Sequence, residues 1–203
     1  MKILALDSSG LVASVAVVEN DTLLAEYTVN YKKTHSQTLL PMLDEISNMT
    51  ELDLSTIDAI AVAGGPGSFT GLRIGSATAK GLGLALEKPL ISIPTTAAIA
   101  YNIWDTDKFV CPIMDARRNQ VYTGVYCYTD HRLDTVWEQD TMSIEALAEG
   151  LNCLDHEVIF LGDGVAVYRE KLEALLTIPF SFAPAHVNRQ RAAAVGALAE
   201  VYY

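Results

Sequence analysis

The spacing of apolar and polar positions along the chain changes period in a fixed order, and that order comes twice. Residues 2–7 (KILALD), 11–19 (LVASVAVVE) and 22–29 (TLLAEYTV) are alternating or β-branched runs. The short polar breaks at 8–10 (SSG) and 20–21 (ND) are hairpin-turn chemistry, so three strands are predicted. The period then changes. Leu39, Leu40, Leu43 and Ile46 fall on one helical face and predict a helix over 36–48, with Ser36 or Thr38 as its cap. Pro41 then stands in the first turn, where a missing N–H costs little. A continuous apolar run at 57–63 predicts a buried strand, followed by a glycine-rich turn and a helix over about 70–86. Beyond residue 105 come strand patterns at 109–115, 121–128 and 132–138, a helix at 143–151, a strand at 158–161, and helical segments to the end.

Two β-β-β-α-β-α units in succession predict an α/β protein with a duplicated ribonuclease-H-like fold, the architecture of the actin, Hsp70 and sugar kinase superfamily. The boundary is expected near 106–108, giving an N-terminal lobe over 1–105 and a C-terminal lobe over 106–203. The last helix, from about residue 189, stops without a glycine or proline terminator, which reads as an early end to the second lobe.

The strand at 57–63 runs into Gly64-Gly65-Pro66-Gly67-Ser68-Phe69-Thr70-Gly71-Leu72-Arg73-Ile74-Gly75. Glycines between a strand and a helix N-terminus are a setting in which backbone N–H groups meet anions. The run matches neither G-x-x-x-x-G-K-S/T nor G-x-G-x-x-G, and Ser68 does not sit in a G-x-S-x-G elbow. Two readings stand: a phosphate cradle, or a tight turn with close helix packing. The helix itself favours packing contacts. Gly71, Gly75, Ala79 and Gly83 recur every four residues, with Ala77, Gly81 and Ala85 on an adjacent line. Each internal glycine in an exposed helix costs about 0.8–1.0 kcal/mol relative to alanine, so several in one helix imply a close neighbour, inside the fold or across a subunit interface. With the helix at 36–48 this gives an expected contact face: His35, Leu39, Leu40, Met42 and Leu43 from the first helix, and Gly71, Leu72, Gly75, Ala79 and Gly83 from the second.

Composition narrows the function. With 25 Asp and Glu against 14 Lys and Arg, the chain carries a formal charge of −11 and should repel RNA, so any contact with RNA is expected through a partner. Local basic spots stand at Lys32–Lys33, Arg117–Arg118 and 189–191. Cys111, Cys127 and Cys153 are widely spaced and form no C-x-x-C pair, which indicates neither a disulfide framework nor a zinc site. No window approaches the roughly 20 apolar residues of a membrane span, and the N-terminus runs straight into a strand. A soluble, cytoplasmic protein with no membrane partner is expected.

Four segments together resemble the bacterial TsaB (YeaZ) family: Asp7-Ser8-Ser9, His35-Ser36 with Leu39-Leu40-Pro41, the GPGSFTGLRIG run at 65–75, and Met114-Asp115-Ala116-Arg117-Arg118 with Tyr122. The resemblance is strong over residues 1–126 and beyond that follows element order only. It implies a place in tRNA threonylcarbamoyladenosine biosynthesis, as the non-catalytic partner and activator of a TsaD-type transferase. It also implies a TsaE-type ATPase as a further partner, and a homodimer in isolation. Similar proteins have carried the M22 glycoprotease label, and the absence of peptidase machinery here speaks against it.

The catalytic relatives carry an H-x-x-x-H pair after the glycine loop, a spacing that puts two imidazoles on one helix face for a metal. The corresponding stretch here, Thr95-Thr96-Ala97-Ala98-Ile99-Ala100-Tyr101-Asn102, has no histidine, and His35, His131, His156 and His186 are scattered. Neither a catalytic residue nor a metal site is therefore expected. Asp7 and Ser8, with Asp115 and Gly162 in the second half, are the nucleotide-binding candidates, since the superfamily places carboxylates and glycine turns near nucleotide-bound magnesium. No cofactor is expected within this chain, and any ATP or ADP with magnesium is expected at the contact with the partner. The alternative is an autonomous nucleotide-dependent transferase or kinase built on Asp7.

Overall fold

The computed structural model describes residues 1–31 and 35–203, so the Lys32–Lys33 pair lies outside the described residues. Two compact units divide the chain, residues 1–98 with 190–203 and residues 99–189. The division falls after Ala98 rather than near residue 106, and the last helix belongs to the first unit, which corrects the expected boundary.

The first unit holds a five-stranded sheet in the order β3-β2-β1-β4-β5. Strands β1 (Lys2–Asp7), β2 (Val12–Glu19) and β3 (Thr22–Asn30) are antiparallel neighbours. Strands β4 (Ala59–Gly65) and β5 (Leu90–Pro94) run parallel to β1. Helix α1 (Leu39–Thr50) follows β3, and α2 (Phe69–Leu86) follows β4. Alternation along the strands separates two faces. Leu4, Leu6, Val15 and Val17 meet Leu39, Leu43 and Ile46 of α1 and Ala79 of α2. The opposite face is covered by α6 (Ala192–Tyr202), which packs across β1, β2 and β4. A Cβ at Gly196 would lie 2.8 Å from Val18 Cγ2, so the helix rests almost directly on the sheet.

The return of α6 has a local cause at its start. No side chain at Arg191 caps the helix, so its first amides need acceptors from elsewhere. Ala192 N–H donates to Ser14 Oγ at 2.8 Å and Ala193 N–H donates to Glu26 Oε1 at 3.1 Å, while the Arg191 guanidinium pairs with Glu26. Sheet side chains thus cap a helix more than 160 residues away in sequence, and this tertiary capping has no signature in the local pattern.

The second unit repeats the plan with the order β10-β9-β6-β7-β8. Strands β6 (Phe109–Arg117), β7 (Gln120–Thr129) and β8 (Arg132–Ser143) are antiparallel, and β9 (Val158–Leu161) and β10 (Phe180–Phe182) run parallel to β6. The short helix α3 (Thr95–Ala100) spans the division between the units. Helices α4 (Ile144–Leu154) and α5 (Val165–Leu175) put Ile144, Leu147, Leu151 and Leu172 against Ile113, Val121 and Phe160. Ser143 caps α4 by accepting from the Ala146 N–H.

Each sheet has a fifth strand that the spacing did not predict. Both are short and bounded by proline, β5 between Pro89 and Pro94 and β10 between Pro179 and Pro184. Among the described residues no helix is long and apolar enough to cross a membrane.

Candidate functional site

The β1–β2 turn and the glycine loop lie on top of one another. Ser68 N–H donates to Ser9 O at 2.7 Å, and Ser8 Oγ donates to Gly71 O at 2.9 Å. Ser68 is the N-cap of α2 and accepts from the Gly71 N–H at 3.3 Å. Gly67 holds φ at 156°, and a Cβ there would collide with Ser9 O. At Gly71 a Cβ would run into Ser8 O, and at Gly75 into Ser8 Oγ. The glycines therefore let the helix settle onto the backbone of the first hairpin. On the far side, His35 Nε2 lies 2.8 Å from Gly10 O.

These contacts decide between the two readings of the loop. A phosphate cradle needs N–H groups that face a ligand. Here the Ser68 and Gly71 amides are taken by the chain's own oxygens, and Ser9 fills the space beside Gly67. Asp7 is fully buried and its Oδ1 accepts from both the N–H and the Oγ of Ser9, at 2.8 and 2.7 Å. Ser8 is buried as well. Asp7, Ser8 and the glycine loop thus do not fit a nucleotide phosphate, and the Asp7–Ser8 expectation is corrected by this packing.

In the second unit Asp115 Oδ1 accepts from the Arg117 N–H at 3.0 Å and from the Tyr168 hydroxyl at 3.1 Å. Gly162, at φ 101°, donates its N–H to Asn188 O at 2.9 Å and is buried against Ile113 O. Both candidates make these contacts within their own unit. Nearby Asp163 has its carboxyl raised above the usual carboxylate range, chiefly by burial, with the Asp115 charge adding to the shift and Arg189 opposing it. Burial pushes the Cys111 thiol up to about 12, so it is no nucleophile. Among the described residues no group of three or more His, Cys, Asp or Glu comes together.

The small-residue stripe faces inward. Gly71, Gly75, Ala79 and Gly83 are the buried residues of α2, and Leu39, Met42 and Leu43 are buried in the same core. None of these seven can form a docking face, because the unit's own hairpin and sheet already occupy the bare side of the helix. Of the expected contact residues, Leu40 is exposed, Leu72 is half-buried and His35 is engaged with the β1–β2 turn.

What remains open is the second line. Ala77, Gly81 and Ala85 are exposed, and a Cβ at Gly81 would meet nothing within 4 Å. Phe69 is 70% exposed and Leu84 84%, fractions that put two large apolar side chains in the open on this side. Arg73 lies over the Phe69 ring at 4.1 Å. Alongside, a groove of about 640 Å³ runs between α2 and the edge strand β5, lined in part by Leu72, Arg73, Ser76, Lys80 and Leu90. The sequence expectation missed Phe69, Gly81, Leu84 and the groove. Both small-residue lines have helical spacing, and spacing alone does not say which one the fold covers.

The paired α/β plan defines the class by its fold: the duplicated ribonuclease-H-like architecture that actin, Hsp70 and sugar kinases share. An inorganic polyphosphate/ATP-glucomannokinase from Arthrobacter shares the fold, with a TM-score of 0.56 at 16% identity over 99% of this chain and 98% of its own. The family model for TsaD, tRNA N6-adenosine threonylcarbamoyltransferase, matches residues 22–202. The Bacillus subtilis tRNA threonylcarbamoyladenosine biosynthesis protein TsaB is 35% identical over 176 residues, which is 87% of this chain and 77% of that relative. A protein with similarity to peptidase YeaZ from Pseudomonas aeruginosa superposes with a TM-score of 0.84 at 27% identity, over 98% of this chain and 90% of its own. The chain belongs to the TsaB (YeaZ) family.

Proposed function

We propose that this protein serves tRNA threonylcarbamoyladenosine formation as a non-catalytic partner, docking a TsaD-type transferase on the outer face of α2 and the neighbouring α1 and so raising its activity. One observation carries the reading: the side of α2 that holds Phe69, Gly81 and Leu84 is uncovered while the rest of the helix is built into the core. Bare backbone at Gly81 admits a second helix at close range, and flanking apolar side chains supply the buried area. The occluded glycine loop supports the non-catalytic half. A nucleotide with magnesium, if the assembly uses one, belongs to the contact with the partner, and so does tRNA. In isolation the same face pairs two copies, and a TsaE-type ATPase joins the assembly. All of this takes place in the cytoplasm.

The test is Gly81→Trp, at an exposed position where an added Cβ meets nothing within 4 Å. Mixed with the transferase from the same source, the variant should elute separately in size-exclusion chromatography and leave tRNA modification at the level of the transferase alone. An intact complex with full modification would remove α2 as the docking face. Calorimetry of the isolated protein with ATP and magnesium addresses autonomous catalysis: saturable heat lost in Asp7→Ala would replace the partner reading with an enzyme.

A further inference from the structure

The groove beside α2 holds positive charge that no ion pair among the described residues neutralises. In a chain of net charge −11, Arg73 and Lys80 form no ion pair among the described residues, and none of the described residues lining the groove is acidic. Arg73, Ser76 and Lys80 stand at i, i+3 and i+7, one stripe along a helix, with the backbones of the two cationic residues about 10 Å apart at 1.5 Å per residue. Phe69 lies one turn before Arg73, and Leu84 one turn after Lys80, both exposed. The stripe reads apolar, cationic, polar, cationic, apolar. A compact ligand would leave the apolar ends of this stripe uncovered.

We propose, resting on the docking face assigned above, that this groove receives an acidic amphipathic helix of the transferase, with two carboxylates two turns apart on Arg73 and Lys80 and apolar side chains on Phe69 and Leu84. Helix-in-groove recognition of this kind reads partners at helical spacing. The charge pairs set register and exclude the wrong partner, while the apolar ends hold the helix down. In a chain of net charge −11, a groove lined by two cations and no acidic described residue attracts an acidic segment that most of the surface would repel.

Isothermal calorimetry of the full-length protein with the transferase, for the parent, Arg73→Glu with Lys80→Glu, Arg73→Gln with Lys80→Gln, and Gly81→Trp, decides the matter, with circular dichroism confirming that each folds. The neutral pair should bind about tenfold more weakly and the reversed pair more weakly still, because truncating a desolvated charge partner mainly speeds dissociation. Parent-like affinity in both pairs alongside loss in Gly81→Trp overturns the groove and leaves the docking face standing. Parent-like affinity in all variants overturns both. If the reversed pair breaks only the homodimer, the groove belongs to a second copy and the acidic helix is rejected. Binding of ADP to the isolated protein that the reversed pair abolishes would likewise reassign the groove to a phosphate-bearing ligand.

Discussion

Helices α2 and α5 hold the same place in their lobes, each following the strand parallel to the first, yet they are built on opposite principles. The inner side of α2 is glycine and alanine pressed onto the first hairpin, and its outer side shows Phe69, Ala77, Gly81 and Leu84, with Arg73 and Lys80 as its only charges. The inner side of α5 is Tyr168 and Leu172 packed into a side-chain core, and its outer side carries Arg169, Glu170, Lys171 and Glu173. Arg169 and Glu173 even stand at i, i+4 as a surface pair. One fold plan thus gives an outer face on α5 that carries both charge signs beside the exposed Val167 and Leu175, and an outer face on α2 that carries no acidic group. The asymmetry is what supports placing the proposed docking face on the first lobe.

Substitutions can break or sharpen that contrast. The largest effect belongs to Leu172→Ala, which empties a fully buried position in the second lobe and should cost about 2–5 kcal/mol in urea unfolding. Gly71→Ala in the first lobe should cost about 1–3 kcal/mol for the opposite reason, since even one methyl runs into Ser8 O, a backbone atom that cannot step aside. If Gly71→Ala were neutral, close packing would not be what the stripe is for. Gly81→Ala, three turns along on the open side, should stabilise the isolated protein by about 0.5–1 kcal/mol through helix propensity, because the new methyl meets nothing.

The smallest effect is a pH dependence confined to the second lobe. Burial raises the Asp163 carboxyl above its ordinary value, so the folded state holds that proton more tightly than the unfolded chain does. Stability from this group is therefore undiminished below the unfolded value of 3.8, and is lost as pH rises toward the folded value. Asp163→Asn should accordingly melt above the parent near neutral pH, with the gap closing as the solution is acidified below that range. A gap that widened on acidification would reverse the sign assigned here.

Much of this molecule was legible before its structure. The three-strand openings of both lobes, α1, β4, α2, α4 and β9 follow from apolar spacing and turn chemistry. The strands β5 and β10 did not, because strands of five and three residues flanked by proline are too short to show a period. The passage of α6 back to the first lobe was hidden for another reason: AAAVGALAEVY is apolar on nearly every side, and what recruits it is capping by Ser14 and Glu26. At the site, the bare character of α2 was plain in the sequence. Which of its two bare lines was spoken for was not, since that depends on Ser8 and Ser9 reaching the helix from sixty residues earlier.

Hydroxyl-radical footprinting of the protein alone and bound to the TsaD-type transferase tests the contrast most directly, because exposed side chains report their own cover. Phe69 and Leu84 on α2 should lose most of their reactivity on binding, while Val167 and Leu175 on α5, also exposed in the free protein, should keep theirs. Unchanged oxidation at Phe69 and Leu84 in a complex shown to be fully formed, or protection at α5 in their stead, would contradict the assignment of α2 as the face left for a partner.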